Sequence, residues 1–96
     1  MNTLLGEDWS RWRGPRGDGS WNGPKISRKL PENGLKRVWK SPLNPGYSGI
    51  TVKENRVYTM DRPPVGKSAE TERVLCFNAL DGSFLWEFCY PAEYGN

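Results

Sequence analysis

The sequence predicts an all-β protein: a four-stranded, up-and-down antiparallel sheet preceded by an irregular amino-terminal arm and a candidate extra edge strand. Three observations carry that reading. Apolar and polar residues alternate with a period of two on both sides of Glu54-Asn55. The later runs "RVLCFN" and "FLWEFCY" are rich in β-branched and aromatic residues. Gly and Pro supply 19 of the 96 residues, 11 and 8 respectively, which favours turns over long helices.

Residues 1–36 read as an arm without regular structure, because "RGPRGDGSWNGP" and "LPENG" are dense in turn formers. Trp9 and Trp12, in "DWSRWRGP", are rings able to pin such an arm to a neighbouring surface. In "LKRVWKSPL" the residues Leu35, Val38, Trp39 and Leu43, with Pro42 near the end, suit an edge strand over 37–43. "NPGYSG" is a turn. In "ITVKENRVYTM", Ile50 and Val52 alternate with Thr51 and Lys53, and Val57 and Thr59 with Tyr58 and Met60, which predicts a hairpin. Its two-residue turn needs positive φ, and Asn55 tolerates that best among non-glycine residues.

"DRPPVGKSAETE" is a polar loop carrying Pro63, Pro64 and Gly66. "RVLCFN" and "FLWEFCY" follow as a second hairpin across "ALDGS". Alternation puts Val74, Cys76 and Asn78 on one face with Phe84, Trp86, Phe88 and Tyr90, and Leu75, Phe77 and Leu85 on the other. Both faces are thus apolar, and an isolated sheet covers neither. The chain divides into the arm, 1–36, and the sheet with its preceding edge strand, 37–96.

Net charge is +3, and it belongs to the front of the chain: residues 1–40 hold nine Lys/Arg against four Asp/Glu, residues 41–96 five against seven. A nucleic-acid clamp through Arg11, Arg13 and Arg16 is the weakest of the functional readings, because "RWRGPRG" is one short element without repeated units. No stretch approaches the ~20 apolar residues of a membrane-spanning helix, and "MNTLLGEDWS" lacks the basic and apolar regions of a secretory signal. With no histidine and only Cys76 and Cys89, neither a zinc quartet nor a histidine triad can be assembled. A turn centred near residue 81 sets Cys76 opposite residue 86 and Cys89 opposite residue 73, an offset of ~10 Å that no disulfide bridges. Asp8, Asp18, Asp61 and Asp81 sit in separate turns, with no spacing that pairs two of them for acid–base work. "DGSWNG", residues 18–23, has the oxygen-rich character of a calcium loop but no closing glutamate.

"VYTMDR" followed by "ERVLCFNALDGSFLWEF" resembles the repeat of the pyrroloquinoline-quinone-like (PQQ-like) β-propeller family, in which a Val-Tyr strand precedes a strand ending in an Ala-containing turn, then Gly and, four residues later, Trp. The corresponding positions are Val57, Tyr58, Ala79, Gly82 and Trp86. "DWSRWRGPRGDGS" and "PGYSG" also resemble the leader and first blade of exported members that have no known catalytic role. Asn78 stands where the repeat usually has Asp, and Asp81 where it usually has Thr; both can cap a turn.

The resemblance implies a single propeller blade, with Gly82 in a conformation closed to Cβ-bearing residues and Trp86 lying between adjacent blades, burying ~200 Å². Since propellers close with several blades, it implies a fragment or truncated reading frame that partners other blades or copies of itself, and an extracytoplasmic location. The expected function is a non-catalytic interaction or scaffold module without cofactor. The alternative is a remnant of a quinone-dependent dehydrogenase; such enzymes hold the quinone and calcium with an Asp base, a stacking Trp and a vicinal cysteine pair, none of which transfers to this chain.

Overall fold

The computed structural model describes residues 6–25, 28–64 and 70–93. Within them lie four strands and no helix: β1 Thr51–Lys53, β2 Arg56–Asp61, β3 Thr71–Asn78 and β4 Phe84–Pro91. They form one antiparallel sheet in the order β1-β2-β3-β4. The predicted class and topology are those observed.

Local chemistry sets each connection. Glu54 and Asn55 have φ of 51° and 63°, the two consecutive left-handed residues that a tight hairpin requires. Glu54 has no intrinsic preference for that region, and its N–H is held by Asp8 Oδ2 of the arm at 3.2 Å. Between β3 and β4, Asn78 Oδ1 accepts the Leu80 N–H and Asp81 Oδ1 accepts the Ser83 N–H, at 2.8 and 2.9 Å. Gly82, at φ 75°, donates to the Asn78 carbonyl and closes the loop. Much of the β2–β3 loop, residues 65–69 with Gly66, lies outside the described residues.

The ladder between β3 and β4 contains a bulge. Cys76 faces Trp86 and Arg73 faces Cys89, as the turn position predicts, but Phe77 faces Phe84, which leaves Leu85 as an extra residue. The loop closes Asn78 on Ser83, one residue out of step with the rest of the ladder, and Leu85 takes up the difference. Phe84 therefore does not share a face with Trp86, as strict alternation predicts. Its ring turns to Phe77 and meets it edge-on, centroids 6.0 Å apart at 72°.

The other end of β4 carries Pro91. Ala92 N–H donates to the Glu70 carbonyl at 3.0 Å, so the alternation of antiparallel bonds turns the backbone groups of the neighbouring Thr71↔Pro91 pair away from the ladder. The N–H that proline lacks would have pointed outward. Bulge and proline bound the regular part of the β4 edge, residues 86–90, at its two ends.

Register sorts the side chains into a covered face and an open face. Thr59, Asp61, Leu75 and Phe77 share the covered face, with relative exposures of 6, 3, 2 and 6%. The segment before β1 runs beneath them: Asn44 N–H bonds Asp61 Oδ2 at 2.9 Å, Arg62 N–H bonds the Pro45 carbonyl at 2.9 Å, and Thr59 Oγ1 donates to the Gly49 carbonyl at 3.4 Å. Residues 37–43 carry no strand, contrary to the sequence reading. Pro42 lacks a ladder donor, and the Trp39 side chain is drawn down onto the sheet instead of standing in an alternating row.

Among its described residues the arm has no regular element, yet it is tied. Trp9 and Val52 exchange two backbone bonds, Trp9 N to Val52 O at 2.9 Å and Val52 N to Trp9 O at 2.6 Å, so that Trp9 occupies the β1 edge. Glu7 closes the loop that follows. Its backbone N–H donates to the Asn22 carbonyl, its carbonyl accepts the Trp21 indole N–H at 2.6 Å, and its carboxylate takes the Asn22 N–H and the Arg16 guanidinium.

Candidate functional site

The five repeat-signature residues fall into two clusters. On the covered face, Ala79 and Gly82 form a seat for an indole. Trp39 Nε1–H donates to the Ala79 carbonyl at 2.8 Å. Its ring lies flat over Gly82, where an added Cβ would stand 2.5 Å from Trp39 Cδ2. The ring centroid is 6.2 Å from that of Phe77, whose β2 neighbour is Val57. Gly82 is thus required twice, by its positive φ and by the ring above it.

On the open face, Tyr58 and Trp86 flank Cys76 from β2 and β4. Their rings meet above it with centroids 6.1 Å apart, and Cys76 is wholly buried as a result. A small side chain is needed there because two large ones close over it. Val74 and Met60 continue this face, and Phe88 stacks on Tyr90 at 6.1 Å and 30°. Trp86 and Phe88 remain 40 and 62% exposed.

Charged groups are engaged with one another. Arg73 holds Asp61 in a two-pronged contact, Nε to Oδ1 at 2.8 Å and Nη2 to Oδ2 at 2.6 Å, and reaches Glu87 at 2.9 Å. The Arg73 bonds, aided by the Asn44 amide, hold the Asp61 carboxyl below the ordinary aspartate range against the effect of burial. Arg62 pairs with Glu70 and Glu72 at 2.7 and 3.5 Å, and the Tyr90 hydroxyl donates to Glu72 at 2.8 Å. Beside this group Pro45, Tyr47, Met60, Pro63 and Pro64 line a shallow open cleft of about 670 Å³.

Each aspartate singled out in the sequence holds a backbone or side-chain donor in its own place. Asp8 takes the Glu54 amide, Asp18 the Ser20 amide and hydroxyl, Asp61 takes Arg73, and Asp81 the Ser83 amide. The residues present do not fit a quinone–calcium centre. Among the described residues no three His, Cys, Asp or Glu side chains lie close enough to hold a metal, and Asp18 of the calcium-like loop is committed to Ser20. Cys76 and Cys89 are free thiols, one buried and one exposed.

Two of the three arginines of the nucleic-acid reading are used inside the arm. Arg11 Nε–H donates to the Gly14 carbonyl at 3.1 Å, and Arg16 is held by Glu7 and Ser20. Trp39 and Asp61 were missed as organising residues. The signal for Asp61 was available, since the hairpin registers set it opposite Arg73. For Trp39, Pro42 gave the one hint that its segment would not stay in a ladder.

No family model matches the chain, and no curated protein or solved structure matches it.

Proposed function

We propose that the chain is a non-catalytic interaction or scaffold module of the PQQ-like propeller-repeat type, which presents its open aromatic face to another β-unit. The observation that carries this is uneven cover: Leu75 and Phe77 at the centre of one face are sealed by the chain itself and Phe84 at its β4 margin is 55% exposed, while Trp86 and Phe88 stand side by side on the opposite face, 40 and 62% exposed. An exposed cluster of large rings on a small domain marks a contact surface. The seat that Ala79 and Gly82 make for Trp39 supports the same reading, because two signature residues there serve adhesion of an indole rather than chemistry.

An environment-sensitive apolar dye tests it. At submicromolar chain concentration the native protein binds anilinonaphthalene sulfonate, and Phe88→Lys, which keeps the far-ultraviolet circular dichroism, weakens that binding severalfold. Pyrroloquinoline quinone with calcium moves neither the thermal midpoint nor the quinone absorption. A native chain that ignores the dye would remove the open face and with it the module. Saturable quinone binding would restore the dehydrogenase reading.

A further inference from the structure

We infer that the open face takes a second copy of this chain, in a two-fold dimer that closes at two. The inference rests on the module reading above and names its partner. A stack that grows into a ring or filament needs the open face of one copy to meet the opposite face of the next. Over β2 and β3 that opposite face is filled from within: Trp39 sits on Gly82, Asn44 bonds Asp61, and the Gly49 carbonyl takes Thr59, which leaves Phe84 open at the β4 margin. The β4 edge is shortened for strand addition by the bulge at Leu85 and by Pro91 at its end. Face-to-face pairing of two open faces covers Trp86 and Phe88 in both copies at once. Two antiparallel sheets laid ~10 Å apart, strands within about 30°, are a common way to cover two apolar faces.

Charge selects the direction of the pairing. Lys53, Arg56 and Asn78 share one end of the open face in register, and Glu72 stands at the other with Glu70 and Arg62 beside it. On the open face the first end presents two positive side chains, Lys53 and Arg56, with Glu54 in the turn beyond them; the second carries one net negative. A two-fold axis parallel to the sheet and perpendicular to the strands lays the basic end of each copy toward the acidic end of the other. It also keeps β4 over β4, so that Trp86 of one copy meets Phe88 of the second. An axis along the strands would set like ends together.

Area sets the strength. With rings of this size contributing 150–250 Å² when fully exposed, exposures of 40 and 62% leave Trp86 and Phe88 roughly 100 Å² each. Tyr58, Met60, Val74 and Tyr90, all half-buried, raise the total to on the order of 400 Å² per copy. A standard interface covers about 800 Å² per partner. The dimer is therefore weak and exchanges with monomer.

Sedimentation equilibrium of the full chain, from about 10 µM to about 1 mM, covers the range such an interface calls for. The expected result is a reversible monomer–dimer equilibrium with no larger species. Phe88→Lys raises the dissociation constant at least tenfold, and Arg56→Glu, which alters no contact of the fold described above, raises it about threefold or more. Val38→Lys, at an apolar residue 77% exposed in the segment before β1, leaves it unchanged. A chain that binds the dye yet stays monomeric throughout would overturn the dimer and leave the module reading standing. Trimers or larger species would overturn closure at two. Dissociation by Val38→Lys as strong as that by Phe88→Lys would overturn the choice of face. Absence of dye binding, by contrast, sinks the module reading itself.

Discussion

Replacing Gly82 with alanine tests the contact on which the covered face depends. Two costs arise together. Gly82 sits at φ 75°, and an L residue forced into that region loses about 1–2 kcal/mol. The new Cβ would also stand 2.5 Å from Trp39 Cδ2 and 2.6 Å from Cε3, so the indole must lift. Lifting forfeits the 2.8 Å bond from Trp39 Nε1 to the Ala79 carbonyl, worth about 1 kcal/mol, and re-exposes part of the ring at a further ~1–2 kcal/mol. The sum, ~3–5 kcal/mol, is a large share of the stability of a domain this small. Urea unfolding followed by far-ultraviolet circular dichroism at low micromolar concentration measures it. Gly34 is the control: it has φ 78° with nothing within 4 Å of an added Cβ, so Gly34→Ala costs the backbone part alone, about 1–2 kcal/mol. In a Trp39→Ala background Gly82→Ala falls to that same value, a coupling of ~2–3 kcal/mol between the two sites. An equal cost for Gly82→Ala with and without the Trp39 ring would refute the stacking argument.

Asp61→Asn removes the buried acceptor of Arg73 and costs about 2–4 kcal/mol near neutral pH. Because the folded carboxyl is held below its unfolded value, its contribution is complete above the ordinary aspartate pKa of ~4 and is lost as pH falls through the folded value. Thermal midpoints of the parent chain therefore drop on acidification below about pH 4, and Asp61→Asn makes that drop shallower; identical slopes would detach acid lability from this pair. A thiol reagent separates the cysteines: the native chain consumes one equivalent quickly at exposed Cys89, and Cys76 reacts only on unfolding. Rapid labelling of both thiols in the native state would contradict the closure of Tyr58 and Trp86 over Cys76.

The sheet was legible because its information is local. Alternation across "ITVKENRVYTM" marks β1 and β2, and the polar pair Glu54-Asn55 marks their turn. The Cys76–Trp86 and Arg73–Cys89 registers follow from the loop position alone. The face of Phe84 did not follow, because "FLWEF" is apolar at odd and even positions alike and hides a one-residue slip. The path of residues 37–50 was equally hidden. Its partners, Ala79, Gly82, Thr59 and Asp61, are distant in sequence, and single side-chain bonds to backbone leave no periodic trace. Of the candidate site, Ala79, Gly82 and Trp86 stood out in the sequence as positions, while the side chain that occupies the Ala79–Gly82 seat did not.

Parts of the basic front half, around Glu7–Asn22 and at Trp39, therefore belong to the fold, and this bears on how folding and association connect. Apolar residues fully withdrawn from water among those described are only Leu75, Cys76 and Phe77. Such a core cannot by itself offset the conformational entropy of the ordered residues. What supplements it is a set of tethers: Glu7 across the arm loop, the Trp9–Val52 bridge, Trp39 on Ala79, and Asn44 on Asp61. Arg16 carries positive charge in sequence yet serves as one of these ties. Every tether acts on the covered face, the β1 edge or the arm; none touches Trp86 or Phe88. Trp86 and Phe88 on the open face are thus apolar area that no tether covers, and whatever covers it adds to stability by mass action. Covering that face is therefore a second step, taken at higher concentration by a sheet already folded, and its free energy adds to that of the fold.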